Sequence, residues 1–327
     1  RAMRHLLVHA KSFARIETNL KRFATEISPL VLDDAGDLTQ PWGESEATSA
    51  IAYGTQDAYY SPAAIKFFQT MFEFGRLDWF QSSAAGTEHP MIQATGKKAQ
   101  VFTGSHEQSD AIAEWVLWAG LDFFQRGPER RLAQSAQKWA RLPFREISST
   151  HWLILGFGGI GQACGTRLRA LGADVTGVRR RAGASDAADR VVKPQDIPAL
   201  LPQADAVVLS LPLSEATENM ADAAFFARMS KGSLLINVGR GGLVDETALL
   251  AALDKGAPKA AYLDVVSQEP LPTEHPIWRH PSIVLTAHIS ALTESAKVRT
   301  DSVFIENLAC FLKGGQLRNL VPAEVFS

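Results

Sequence analysis

The chain has 327 residues, of which 46% are hydrophobic and 21% charged, and its formal net charge is −2. That balance excludes a disordered chain and leaves no basic field to recruit nucleic acid or anionic membrane; the length allows two domains of ordinary size. No apolar run approaches the roughly 18 residues of a bilayer-spanning helix, no signal-peptide core opens the chain, and no metal site is expected. The two cysteines, Cys164 and Cys310, fall in helical patterns and are expected as packed thiols, which fits a reducing cytoplasm.

In chain order, residues 5–9, 50–54, 78–81 and 100–102 read as strands, with helical stretches at 13–24 and 62–74. The run 108–124 is a long apolar helix expected to cross into a second domain. There a short apolar strand, 153–155, leads into Gly156-Phe157-Gly158-Gly159-Ile160-Gly161 and a helix-compatible run to Leu171. Further strands at 174–178, 206–211, 234–238, 261–266 and 283–286 alternate with helical patterns at 221–229 and 246–253, the latter capped by Asp245. Short, continuously apolar strands alternating with helices require a parallel sheet covered on both faces, so residues 105–289 are expected to form a doubly wound α/β domain. The run 293–312 returns the chain to a first domain of residues 3–104 and 290–327. Two crossings leave a cleft, where ligands of open α/β sheets bind.

The glycine-rich segment has a specific physical reading. Gly156 permits a tight turn, Gly158 lets backbone approach a pyrophosphate, and Gly161 lets the helix pack close to the strand. With Gly159 and Ile160 they open a helix whose free N–H groups face the phosphates. A dinucleotide site is expected, against the plainer alternative of a glycine-rich turn. The next strand ends in Val178-Arg179-Arg180-Arg181, with no acid between Val175 and Ser185. NAD sites place a carboxylate there for the ribose 2′-OH, whereas a guanidinium pairs with a 2′-phosphate. Arg179 and Arg180 therefore point to NADP(H), with NAD(H) as the lesser option; a solvated basic turn is the bland reading.

Three polar residues follow later strands. Arg240 lies in Asn237-Val238-Gly239-Arg240-Gly241, Glu269 in Val265-Val266-Ser267-Gln268-Glu269-Pro270, and His288 in Thr286-Ala287-His288-Ile289-Ser290. Strand C-termini of a parallel sheet share one edge, so these groups can converge on the cofactor cleft. An arginine holds a carboxylate and polarises a neighbouring carbonyl; a histidine moves the proton of an alcohol or ketone; a glutamate on its other nitrogen fixes the tautomer. That set suits reduction of a 2-keto acid. Taken singly, each has a plainer role, as a packed histidine, an exposed loop acid or a strand-end ion pair. His106 reads as a neighbour of a helix cap, and His89 and His275 as loop residues before prolines.

These motifs, with Trp79-Phe80-Gln81-Ser82-Ser83-Ala84-Ala85-Gly86 and Ala113-Glu114-Trp115, resemble those of the D-isomer-specific 2-hydroxyacid dehydrogenases along nearly the whole chain. The resemblance implies a Rossmann-type domain plus a smaller flavodoxin-like α/β substrate domain. It implies that Arg240, Glu269 and His288 form a catalytic triad and that backbone N–H groups near Ala85 and Gly86 hold the substrate carboxylate. It also implies that Leu211, Pro212, Thr217, Val238, Gly239, Asp264 and Ser290, with Arg240 and His288, line the cofactor site, and that the chain forms a homodimer through its cofactor domains. The basic turn and the Trp-Phe-Gln-Ser loop look most like glyoxylate/hydroxypyruvate reductases. Formate dehydrogenases carry glutamine where Glu269 stands. The loop 83–87 departs from the more usual glycine-rich version ending in Asp. A different class sharing this resemblance is a dinucleotide-sensing, corepressor-like interaction protein.

Overall fold

Continuously apolar strands must be covered on both faces, and the computed structural model builds two sheets that meet this demand. It describes residues 3–47, 49–84, 86–181 and 183–326. The chain separates into two units: Arg1–Glu107 with Leu292–Ser327, and Gln108–Ala291.

The first unit holds β1 (Arg4–His9), β2 (Ile27–Leu32), β3 (Leu38–Thr39), β4 (Ser49–Gly54), β5 (Leu77–Ser82) and β6 (Val101–Thr103). Their order is β3-β2-β1-β4-β5-β6, with only the β2–β3 pair antiparallel. Leaving out the two-residue β3, this is the flavodoxin-like order. Leu6, Val8, Ile51 and Tyr53 face Ile16 and Leu20 of the helix Ala10–Leu20 and Phe304 and Leu308 of the helix Glu294–Lys313. On the other face Leu7, Ala52 and Phe80 meet Phe67 and Met71 of the helix Ala64–Glu73. The strand β2 has no counterpart in the sequence reading because Pro29 argues against a strand. Pro29 is tolerated because β3 pairs only with Val31 and Leu32, which leaves β2 an edge where the proline sits.

The second unit holds β7 (His151–Leu155), β8 (Asp174–Val178), β9 (Arg190–Val192), β10 (Ala206–Leu209), β11 (Leu234–Asn237), β12 (Ala260–Leu263) and β13 (Ile283–Leu285). The seven-stranded sheet runs β13-β12-β11-β10-β7-β8-β9 and is parallel throughout. This is the Rossmann-type order, with its reversal point between β7 and β10. Alternate residues feed two cores. Ile154, Val175, Val208 and Ile236 face the helices Ser109–Phe124 and Gly159–Ala170, while Leu155, Val207, Leu235 and Leu263 face Phe226 and Leu249 of the helices Ala223–Arg228 and Glu246–Asp254. Asp245 caps the last of these, accepting a hydrogen bond from Ala248 N at 3.0 Å. Cys164 is buried behind the glycine loop and Cys310 is half-buried, each a free thiol. Among the described residues no helix is long and apolar enough to cross a membrane.

Candidate active site

The glycine segment follows β7 at the reversal point of the second sheet. Gly156 has φ +95°, and a Cβ there would lie 2.6 Å from Ser210 O, so only glycine fits. A Cβ at Gly161 would lie 2.4 Å from Gly156 O, whereas the space before Gly158 is open. The helix Gly159–Ala170 starts here, with the N–H groups of its first turn directed out of its N-terminus. The loop is tied down from behind. Gly156 N and Phe157 N donate to Val178 O at 3.1 and 2.9 Å, and Ser210 Oγ donates to Gly156 O at 2.9 Å. The Phe157 ring is 1% exposed and fills a slot above Gly165 and Gly177, where a Cβ would meet it at 3.2 and 2.4 Å. An open cradle of backbone N–H groups fits the pyrophosphate of a dinucleotide. Arg179 and Arg180 leave the end of β8. Arg179 is half-buried, donating from Nε to Arg181 O at 2.9 Å, and Arg180 is exposed.

Beside the cradle, the loop after β10 is closed by Thr217, whose Oγ1 donates to Pro212 O and accepts from Ser214 N, both at 2.8 Å. A Cβ at Gly239 would lie 2.8 Å from Leu211 O, so the loops after β10 and β11 abut backbone to backbone. Val238 is buried beneath them, its N–H donating to Leu209 O at 3.0 Å.

Arg240, Glu269 and His288 leave three adjacent strands, β11, β12 and β13, at the same edge. The buried Asn237 side chain brackets the first turn: its Nδ2 donates to Arg240 O at 2.9 Å and its Oδ1 accepts from Gly239 N at 3.1 Å. Arg240 Nη1 donates to Gly239 O at 2.7 Å. Glu269 uses both carboxylate oxygens, Oε1 accepting from Val266 N at 3.2 Å and Oε2 pairing with His288 Nδ1 at 2.8 Å. With Nδ1 engaged, Nε2 is the nitrogen left to face a substrate. His288 sits at φ +55°, a left-handed conformation that costs a non-glycine residue about 1–2 kcal/mol. Asp264, 1% exposed, holds it there. Its carbonyl accepts from His288 N at 2.8 Å, and its carboxylate accepts from Thr286 Oγ1 at 2.5 Å, Ile289 N at 2.8 Å and Ser290 N at 3.0 Å.

Electrostatics follow from this geometry. The hydrogen bond to Glu269 raises the His288 pKa above 6.5; burial opposes it, the Glu269 and Asp264 charges add to it, and Arg240 works against it. Burial pushes the Glu269 carboxyl up, but the bond to and charge of His288 outweigh it and hold the group below its ordinary range. The two shifts agree: each partner favours the charged form of the other.

The second unit thus brings together the glycine cradle, the Pro212–Thr217 loop, Val238, Gly239, Arg240, Asp264, Glu269, His288 and Ser290. Gly86 belongs to the first unit, in the segment after β5, and Ala85 lies outside the described residues. His89 and His275 are helix caps, accepting from Met91 N and Ile277 N at 3.2 and 3.4 Å. Sequence reading missed Asn237 and Ser210, and it gave Asp264 no part in holding His288. A polar residue at the last position of an apolar strand was the available signal for Asn237.

Residues 117–290 match the family model described as D-isomer specific 2-hydroxyacid dehydrogenase, NAD binding domain. The chain belongs to that family. It is 42% identical over 130 residues to glyoxylate/hydroxypyruvate reductase B of Citrobacter koseri, a stretch that spans 40% of each chain. A D-isomer specific 2-hydroxyacid dehydrogenase of Xanthobacter autotrophicus Py2, solved with NADPH and MES, shares the fold over 100% of both chains with TM-score 0.78 and 23% identity. The apo NADPH-dependent glyoxylate/hydroxypyruvate reductase of Sinorhizobium meliloti superposes with TM-score 0.54 at 29% identity, over 57% of this chain and 95% of that one.

Proposed function

We propose that the protein is an NADPH-dependent reductase that converts small 2-keto acids, glyoxylate and hydroxypyruvate foremost, to D-2-hydroxy acids. The observation that carries this reading is the Glu269–His288 pair at 2.8 Å on the same sheet edge as Arg240 and the phosphate cradle. When bound, the nicotinamide cofactor supplies the hydride that reaches C2 of the keto acid. Arg240 clamps the substrate carboxylate through paired N–H donors and polarises the carbonyl. His288, kept protonated by Glu269, gives its Nε2 proton to the carbonyl oxygen as negative charge develops there. Backbone N–H groups near Ala85 and Gly86 hold the carboxylate. Gly156, Gly158, Gly159, Ile160 and Gly161 cradle the pyrophosphate, and Leu211, Pro212, Thr217, Val238, Gly239, Asp264 and Ser290 line the remaining cofactor surface. A homodimer built through the Gln108–Ala291 unit is supported by that unit's exposed Trp118, Leu132, Trp139 and Phe144. A cytoplasmic setting is supported by the two free thiols.

The test is loss of reduced-nicotinamide absorbance with glyoxylate, hydroxypyruvate, pyruvate and phenylpyruvate, each with NADPH and with NADH. Exchange of Arg179 and Arg180 for glutamine is expected to weaken NADPH roughly tenfold or more while sparing NADH. Equal loss for both cofactors would discard the 2′-phosphate clamp, and silence with every pair would discard the reductase reading.

The reaction also carries a pH signature. Reduction consumes the His288 proton, so the rate is full below the folded pKa, which stands above 6.5, and falls about tenfold per pH unit above it. Glu269→Gln removes the charge that holds that pKa up. Its basic limb is expected to move toward lower pH, read from kcat/KM between pH 5 and 9; a limb that stays in place refutes the pairing.

A further inference from the structure

Glu246 is the first residue of the helix that follows the Arg240 turn, yet Asp245 caps that helix and leaves the Glu246 carboxylate for other partners. It turns to the loop carrying Glu269. Its Oε1 accepts from Ser267 N and its Oε2 from Ser267 Oγ, both at 2.7 Å. His275 Nε2 lies 3.6 Å from Oε2, and the Glu246 side chain is only 11% exposed. His275 Nδ1 accepts from Ile277 N, which leaves Nε2 as the ring nitrogen on the side of Glu246. One carboxylate therefore fastens Ser267, at the start of the segment 267–275, and lies beside His275 at its end. Glu269 lies between them, and the N–H that orients its Oε1 belongs to Val266, next to the tied Ser267. A Cβ at Gly241 would lie 1.9 Å from Val266 C and 2.3 Å from Ser267 N, so the Arg240 turn rests directly on this backbone.

We infer that Glu246 is a positioning residue: by fixing Ser267 it sets the distance and angle at which Glu269 meets His288. The groups facing the His288 imidazole are Glu269, Asp264 and Arg240; Glu246 acts on it through the loop. The effect on catalysis rests on the reductase reading above, but the positioning itself does not.

The experiment is an NMR titration of the His288 imidazole in the full chain without cofactor, comparing wild type, Glu246→Ala, Glu246→Gln and Ser267→Ala. In Glu246→Ala the imidazole pKa is expected to fall from its raised value toward 6.5. Ser267→Ala, which loses only the hydroxyl bond, moves it less in the same direction. Glu246→Gln restores most of the wild-type value, because its amide still accepts from Ser267 N and can donate to Ser267 Oγ. Keto acid reduction by Glu246→Ala is expected to drop roughly tenfold in kcat, its basic limb shifted in step with the imidazole and its cofactor KM unchanged. An imidazole pKa equal to wild type in Glu246→Ala and Ser267→Ala overturns the inference; if Glu246→Ala does not fold, Ser267→Ala decides. Wild-type protein without reductase activity would overturn the proposed function and leave the titration result standing.

Discussion

Replacing His288 with alanine is expected to lower 2-keto acid reduction by roughly 10²–10⁴-fold, the usual contribution of a positioned general acid. Among the described residues, its hydrogen-bonded partner does not supply a proton in its place. Glu269 is held ionised by its partner, so it has no proton to give. The fold should survive the change. The His288 side chain is 39% exposed, and the left-handed backbone is imposed by Asp264, which bonds the main chain at His288, Ile289 and Ser290 rather than the imidazole. Dinucleotide affinity, read by fluorescence titration, is expected to change little, because the phosphate cradle is built by other residues. Unchanged turnover would remove His288 from the chemistry.

The second large effect is expected at Gly241. Its hypothetical Cβ would lie 1.9 Å from Val266 C, 2.0 Å from Val266 O and 2.3 Å from Ser267 N, all backbone atoms. A flexible side chain could swing aside, but this backbone cannot, because Ser267 is fastened to Glu246 through two hydrogen bonds. Gly241→Ala is therefore expected to destabilise the second unit by about 3 kcal/mol, the upper range for overpacking. It should also depress turnover by driving the Arg240 turn and the Glu269 loop apart. Gly242→Ala is the control. Its Cβ would meet only the Leu213 side chain, at 3.0 Å and beyond, and should cost far less. Denaturant unfolding and kcat measured on both variants decide the matter, and a Gly241→Ala protein as stable as wild type would refute the packing argument.

Much of the second unit was legible in the sequence because a parallel sheet leaves two local marks, continuous apolar strands and polar residues just beyond them. Those marks located the glycine cradle and put Arg240, Glu269 and His288 after β11, β12 and β13. Since β11, β12 and β13 are neighbours in the sheet, strand-end position became spatial proximity. The same marks fail where a residue acts across the chain. Asp264 bonds groups 22 to 26 positions away, and Glu246 bonds Ser267 at a separation of 21. An acid in the first turn of a helix is expected to favour the helix dipole, which hid Glu246's other partners. The left-handed backbone at His288 has no local signal either: histidine adopts it more often than most non-glycine residues, but still too seldom for the residue type to mark the position. In the first unit, β2 was hidden by Pro29, an obstacle only in a strand paired on both sides at that point.

The Phe157 ring bears on how tightly a nucleotide can be held. A glycine-rich segment is the most disordered kind of chain when free, and fixing one residue's backbone costs on the order of 1–2 kcal/mol in conformational entropy. Here that ordering is accomplished during folding, because burying an aromatic ring against Gly165 and Gly177 fastens the turn to the sheet from below. The incoming phosphates meet a receptor already in shape, so their hydrogen bonds go into affinity instead of into taming a loop.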